Sequence, residues 1–364
     1  MGIGGRILGG AMRWVSQFPA LRGMGSRVQS MVTEGGEPLQ AVVRGRAFAE
    51  FTDSDGNTFP LVEGLRKRLS HNPHGASKTP DREALDAMLS SARASVDTAL
   101  VILRAHGFRI SGSYVLDAGC GDGARGIALI DRGAEHVTAS DLMRFHPRPY
   151  HCFNPRARDD EYEAESLEST REALLRAAFG RADDKARRIT FAEDDITRSA
   201  LPSGEFDLVC SWGMLGRVHD AGAAMRQTFR LLKPGGLAFH EYPAFLSLTG
   251  GGAGCTLDFP WGHAMLSAKD FGRYVMEFRP EESETAIRLY EGGLNRMSMA
   301  ECGSSAMAAG LEELCMIDWP REGHASVLTE QALRLVRKLH PSATASDMVS
   351  PTVWALFRKP RAKL

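Results

Sequence analysis

The chain has 364 residues, 43% hydrophobic and 24% charged, with a formal net charge of -1. That size holds one large α/β domain with additions, or two domains, and the near-neutral balance provides no basic field for nucleic acid. Six scattered cysteines without a C-x-x-C pair argue against a zinc ribbon or a disulfide framework. No apolar run approaches the roughly 20 residues of a membrane span, so a cytoplasmic setting is expected.

Residues 1–33 carry Arg6, Arg13, Arg22 and Arg27 and no acid, among Ile3, Ile7, Leu8, Met12, Trp14, Val15 and Phe18. Such a basic amphipathic stretch suits peripheral contact with an anionic membrane. Gly4, Gly5, Gly9 and Gly10 each cost a helix interior about 1 kcal/mol, which favours a packed helix or a loose arm instead. Residues 47–62 read as two short strands around an Asp53–Asn57 turn. Its D-x-D-G-N fragment has Gly64, not Glu, at the twelfth position of a calcium loop. From Pro80 to Arg104, Leu85, Met88, Leu89, Ala92, Val96, Leu100 and Leu103 fall at helical spacing behind a Thr79-Pro80 start.

Strands and helices then alternate, as in a parallel sheet. Tyr114–Asp117 is a strand and Ala124–Asp131 a helix; His136–Ser140 is a second strand that ends in Asp141. Arg188–Ala192 and Phe206–Ser211 follow, then a helix around Ala221–Leu232. Leu232-Lys233-Pro234-Gly235-Gly236 reads as a helix stop and turn before the strand Leu237–Tyr242. A helix over Met299–Ala309, then Leu311–Trp319 and Thr352–Phe357, complete seven strands, the last two an antiparallel edge pair. The expected architecture is a doubly wound, mostly parallel α/β sheet in residues 80–360, after an N-terminal extension over 1–79 with its small hairpin. Two insertions interrupt it: a mixed-charge cover, 143–187, and an aromatic, Gly- and Pro-rich cap, 243–298.

The strongest constellation is Val115-Leu116-Asp117-Ala118-Gly119-Cys120-Gly121-Asp122-Gly123, between a strand and a helix. Glycines let the backbone turn sharply and approach a ligand closely, and the helix N-terminus suits an anionic group. The same loop, Gly119-x-Gly121-x-x-Ala124, also fits a dinucleotide fingerprint. Asp141 stands about 20 residues on, where an acid accepts ribose hydroxyls. Asp194-Asp195-Ile196 follows the third strand, where an acid can accept from an adenine amino group and Ile196 can pack on the ring.

With F-D-L-V-C-S and L-L-K-P-G-G in order after these, residues 110–245 resemble the class I S-adenosylmethionine-dependent methyltransferase family. The resemblance implies a seven-stranded doubly wound sheet with S-adenosyl-L-methionine across its carboxyl edge. By position it implies Asp117, Gly119, Gly121 and Gly123 at the methionine end, Asp141 on the ribose, Asp195 and Ile196 on the adenine, and Ser211 and Trp212 beside the cofactor. The segments 259–267 and 294–298 are similar to parts of bacterial methyltransferases, the first belonging to a cap beyond the fifth strand.

The sulfonium already activates the methyl group, so the protein mainly aligns an acceptor. An acceptor oxygen also gains from a base, and His219, Glu241 and His263 are the candidates, with Tyr242 and Asp258 beside them. Each has a plainer structural alternative: a helix start for His219, a pocket wall for Glu241, cap packing for His263. The run Thr249–Gly254 is expected to hinge the cap. His146, His151 and Cys152 lack acidic partners at ligand spacing, so no metal is expected. The expected acceptor is a small molecule, a sugar or a lipid-linked intermediate, methylated at oxygen. The alternative is a non-catalytic cofactor-binding or scaffold protein. No pattern in the chain sets an oligomeric state.

Overall fold

A computed structural model describes residues 38–69, 80–142, 164–180 and 184–361. The basic stretch 1–33 and the His146, His151 and Cys152 group lie outside the described residues. Among the described residues no helix is long and apolar enough to cross a membrane.

The strands are β1 (Ala47–Thr52), β2 (Thr58–Val62), β3 (Tyr114–Ala118), β4 (His136–Asp141), β5 (Ile189–Glu193), β6 (Phe206–Trp212), β7 (Leu232–Pro243), β8 (Glu312–Asp318) and β9 (Thr352–Arg358). Seven of them form one sheet in the order β5-β4-β3-β6-β7-β9-β8. The first five run parallel, while β9 lies antiparallel to both β7 and β8, as the alternation and the edge pair predicted. Strand order reverses beside β3, where β4 lies on one side and β6 on the other. In open α/β sheets that reversal opens a ligand crevice at the carboxyl ends.

Both sheet faces are covered, so successive strand residues enter different cores. Val115, Leu208, Leu237 and Leu356 pack under α1 (Arg82–Ala105), α2 (Ala124–Asp131) and α3 (Ala164–Phe179). Leu116, Val209, Ala238 and Phe357 pack under α4 (Ala221–Leu231), with Ala306 of a helix described below as α7. Helix α1 starts on Asp81, whose carboxylate accepts from the Ala84 N–H, rather than on Thr79-Pro80. Strand β7 begins at Leu232, so the Lys233–Gly236 turn lies inside it. Its pairing jumps from Phe206↔Leu232 to Leu208↔Leu237, and Gly235 takes the positive φ that this bulge requires.

The cap comprises α5 (Ala268–Phe278) and α6 (Ser283–Gly292); α7 (Met299–Ala308) returns the chain to the sheet, and α8 (Glu330–Leu339) packs back on the cap. The cap has its own apolar core, to which the hairpin β1–β2 belongs: Phe51, Phe59 and Leu61 join Phe259, Trp261, Phe271, Tyr274 and Val336. Phe59 stacks on Phe259 at 4.6 Å, and the Val62 N–H reaches the Asp258 carbonyl at 2.7 Å. At the hairpin tip Asp53 accepts from the N–H groups of Asp55 and Asn57, an ordinary Asx turn. The expected hinge over 249–254 is instead a packed corner. A Cβ on Gly250 would lie 2.0 Å from the Phe245 carbonyl oxygen, and buried Arg279 donates to the Gly254 carbonyl at 3.0 Å.

Candidate active site

The loop after β3 is held in shape before any ligand arrives. Gly119, Gly121 and Gly123 have φ of 72, 56 and 80°, the left-handed region where a Cβ is costly. The N–H groups of Gly119 and Cys120 both donate to the Ser140 carbonyl, pinning the loop to β4. A Cβ on Gly119 would lie 2.5 Å from the Met214 side chain, and one on Gly123 2.4 Å from the Phe191 ring. Gly121 differs, because a Cβ there meets nothing within 4 Å. The peptide groups of Gly121 are gripped at the nitrogen and at the oxygen. Its N–H donates to Asp141 Oδ2 at 2.7 Å, and its carbonyl accepts from Arg171 Nη2 and Nε at 2.6 and 3.0 Å. Arg171 projects from α3 and lies over the Phe191 ring at 4.6 Å. Asp141, Arg171, Phe191 and Glu193 line a cavity of about 320 Å³ here.

Asp117 lies beneath this loop, fully buried, and its Oδ2 has no hydrogen-bond partner among the described residues. Burial pushes its carboxyl up to about 7, against the pull of the nearby Arg125 guanidinium. Arg125, two residues beyond Gly123, sits 5.7 Å from the Trp212 ring at the end of β6. Trp212 pairs in register with Glu241 of β7, which pairs in turn with Trp354 of β9. Asp117, Trp212, Glu241 and Trp354 therefore share the face covered by α1 and α2. Burial raises the Glu241 carboxyl above its usual range, again opposed by Arg125.

Residues 91–291, more than half of the chain, match a family model described as a methyltransferase domain. The chain belongs to that family. It is a class I S-adenosylmethionine-dependent methyltransferase, and its cofactor is S-adenosyl-L-methionine. It is 30% identical over 128 residues to the ubiquinone biosynthesis O-methyltransferase of Psychrobacter arcticus. That alignment takes in 35% of this chain and 40% of the relative, so it spans well under two thirds of the relative's length. A solved S-adenosylmethionine-dependent methyltransferase from Mesorhizobium loti superposes with a TM-score of 0.41 at 15% identity, over 71% of this chain and 95% of that one. The phosphoethanolamine N-methyltransferase 2 of Haemonchus contortus gives 0.42 at 16%, over 84% and 62%.

In this methyltransferase the residues fit the cofactor at the loop. Gly121 leaves its face open, Asp117 keeps a buried oxygen without a partner, and Asp141 stands at the end of β4 beside both. The structure gathers Asp117, Gly119, Gly121, Gly123, Asp141, Trp212 and Glu241 along one edge. Other candidates fall elsewhere. Ser211 points to the opposite sheet face, where its Oγ lies 2.9 Å from Nδ1 of buried His240. Asp195 braces its own turn after β5, accepting at Oδ1 from the Thr197 N–H and hydroxyl and at Oδ2 from the exposed Arg198. Ile196 is buried in the core beneath α4.

The base candidates separate too. His219 is exposed in an open groove of about 490 Å³ beside Asp220, Asn295, Arg296 and Glu301, at the N-termini of α4 and α7. Tyr242 is buried in the core beneath α4 and α7. Asp258 accepts from the Tyr274 hydroxyl within the cap. His263 is a packing residue: it is 1% exposed, edge-on to the Phe245 ring at 5.2 Å, with Nε2 2.8 Å from the Phe245 carbonyl. Burial presses its imidazole down to about 4, a neutral ring in an apolar core. The expectation that it orients an acceptor is withdrawn on that ground. Arg171 is the residue that sequence reasoning missed. Its one signal is that Glu168, Arg171, Glu172 and Leu175 share a helix face, as their spacing of three and four requires.

Proposed function

We propose that this methyltransferase methylates a hydroxyl oxygen of a small-molecule acceptor, with Glu241 as the base. The observation that carries the reading is the position of Glu241: a half-buried carboxylate level with Trp212, on the face of the sheet that also bears Asp117 and Arg125. A hydroxyl must shed its proton as it attacks, and a carboxylate raised above its usual range takes that proton more readily. An amine acceptor brings its own lone pair and has less need of a base. The O-methyltransferase title of the Psychrobacter arcticus relative agrees with the oxygen reading.

Bound S-adenosyl-L-methionine supplies an activated methyl group. Asp117 and the glycine turn hold its methionine end, and Asp141 accepts from its ribose while bracing Gly121. The turn that Asp195 holds bounds the adenine side. Arg125 keeps Glu241 from taking its proton too early, and the indole of Trp212 excludes water between loop and acceptor. The test is turnover of methyl-labelled cofactor on a small-molecule extract, with the product's methyl resonance assigned by NMR. The expected result is an O-methyl product, lost at least about 100-fold in Glu241→Gln while cofactor affinity changes less than about threefold. An N-methyl product, or an active Glu241→Gln protein, would overturn the reading.

A further inference from the structure

Beyond the loop, the carboxyl edge carries a row of indoles around Glu241. Trp212 ends β6, Trp354 lies near the start of β9, and Trp319 follows β8 directly. In the strand order β6-β7-β9-β8 they flank Glu241 on both sides, with Trp212 and Trp354 as its register partners. Trp319 meets Trp354 edge-on at 5.0 Å, and Phe239 closes the floor at 6.0 Å from both Trp212 and Trp354.

The polar atoms of this row are unusual. Nε1 of Trp212 and Trp319 and Nε of Arg125 are buried without a hydrogen-bond partner among the described residues, while the Trp354 N–H is directed at the Glu241 carboxylate. Trp212 and Trp354 are each only 8% exposed. Buried donors are almost always paired in folded proteins, so three unpaired donors along a row that also holds the Glu241 carboxylate mark a place where acceptor oxygens belong. The chemistry of the row narrows what fits. Indole edges and faces favour a planar ring. The free N–H donors cannot pair with an ammonium, and the Arg125 cation repels one. A sugar would require many more polar partners than one carboxylate and a few N–H groups.

We infer that the row is the acceptor subsite and that it takes a catechol-type ring, with one hydroxyl on Glu241 and the adjacent oxygen accepting from the indole N–H groups. This rests on the reading of Glu241 as the base. In the transfer the hydroxyl O–H bond breaks and its proton passes to the Glu241 carboxylate. The oxygen–methyl bond forms as the methyl–sulfur bond breaks, leaving an aryl methyl ether and the neutral thioether S-adenosylhomocysteine. Glu241 then returns the proton to water.

The experiment has two stages on the full chain. Calorimetry first measures S-adenosylhomocysteine binding, and failure there would overturn the methyltransferase reading of the loop itself. Catechol is then titrated into the saturated complex while tryptophan emission is followed. Saturable quenching is expected, weaker with phenol, which lacks the second oxygen, and absent with ethanolamine or glucose. Trp319→Phe and Trp354→Phe keep a ring but lose the N–H, and each should weaken catechol on the order of fivefold at unchanged thioether affinity, with a lower melting temperature only for the buried Trp354→Phe. Glu241→Gln should still bind catechol and fail to methylate it. Thioether binding without saturable catechol binding, or Phe variants that bind catechol as the parent does, would overturn the acceptor class and leave the cofactor site standing. Catechol methylation by Glu241→Gln would overturn the base.

Discussion

The loop after β3 and the core of the cap are both largely buried, yet the cap's His263, Arg279 and Tyr274 are paired within the fold while the loop's Asp117 is not fully paired. In the cap, His263 has its carbonyl partner, Arg279 has Glu282 and the Gly254 carbonyl, and Tyr274 has Asp258. At the loop, Asp117 keeps an oxygen unpaired, and the indole of Trp212 nearby keeps its N–H unpaired among the described residues. Leaving a buried polar group unsatisfied costs about 1–3 kcal/mol, so a folded chain retains such groups only where something else is served. Buried atoms without a partner also occur away from the loop, as at Ser247 Oγ and Thr228 Oγ1, so an unpaired oxygen points to a ligand at Asp117 because it lies beneath the glycine turn and beside Asp141. The contrast explains why chain position alone did not foresee the packing of His263, whereas the loop residues carry a local motif.

The sharpest way to break this comparison is at the glycines. Gly121→Val should cost only about 1–2 kcal/mol in backbone strain, because its φ of 56° is its sole obstacle. Its side chain would occupy the open face, so S-adenosylmethionine binding should fall by more than about 100-fold with a cooperative melt retained. Gly123→Val should lose binding and stability together, since its Cβ would collide with Phe191. If Gly121→Val binds the cofactor, the ligand does not lie on this turn.

In the cap the opposite pattern is expected. His263→Ala should lower stability by about 2–4 kcal/mol through the lost packing and hydrogen bond, leaving turnover per folded molecule alone. Thermal melts and activity on one preparation separate the two quantities, and a loss of turnover at unchanged stability would return His263 to the site.

The two regions also titrate in opposite senses. The folded protein holds His263, and likewise His240, near 4, below the free value of 6.5. Their contribution is therefore present above pH 6.5 and lost as pH falls toward 4. Asp117 is raised from 3.8 to about 7. Its contribution is present below 3.8 and lost as pH rises through 7. The two windows overlap with opposite signs, so Asp117→Asn should steepen the rise in stability of the ligand-free protein between about pH 4 and 7. Denaturant titrations across this range would show it, and an unchanged slope between about pH 4 and 7 would deny Asp117 its buried, ionisable role.

Much of this was legible in the residues. Alternation of short apolar runs with helical spacing gave the strands and the antiparallel edge, because the central strands β3, β6, β7 and β9 are largely buried on both faces and must be mainly apolar. The loop was legible because its requirements are local: three glycines at positive φ and an acid one strand away. What was not legible depends on contacts distant in sequence. Arg171 meets Gly121 from fifty residues further along the chain, in an insertion that reads only as mixed charge. Ser211 and Trp212 are adjacent yet face opposite cores, and the period-two rule predicts that only one can look toward the loop. Asp195 could be placed after its strand, but Thr197 and Arg198 were not foreseen as its partners.

The smallest expected effect concerns that missed arginine. Arg171→Met should keep the contact with Phe191 and remove the grip on the Gly121 carbonyl, weakening cofactor affinity by about three- to tenfold with little change in melting temperature. An effect as large as that of Gly121→Val would mean that α3 contacts the cofactor itself rather than bracing the loop.

The most direct test of the central claim, that the cofactor lies between the glycine turn and Asp141, is calorimetric titration of S-adenosylmethionine into the parent protein and Asp141→Ala. Asp141 is placed to accept charge-assisted hydrogen bonds worth about 1.5–3 kcal/mol each. The account predicts at least about tenfold weaker binding in a variant that still melts cooperatively. Equal affinity in the two proteins would contradict it.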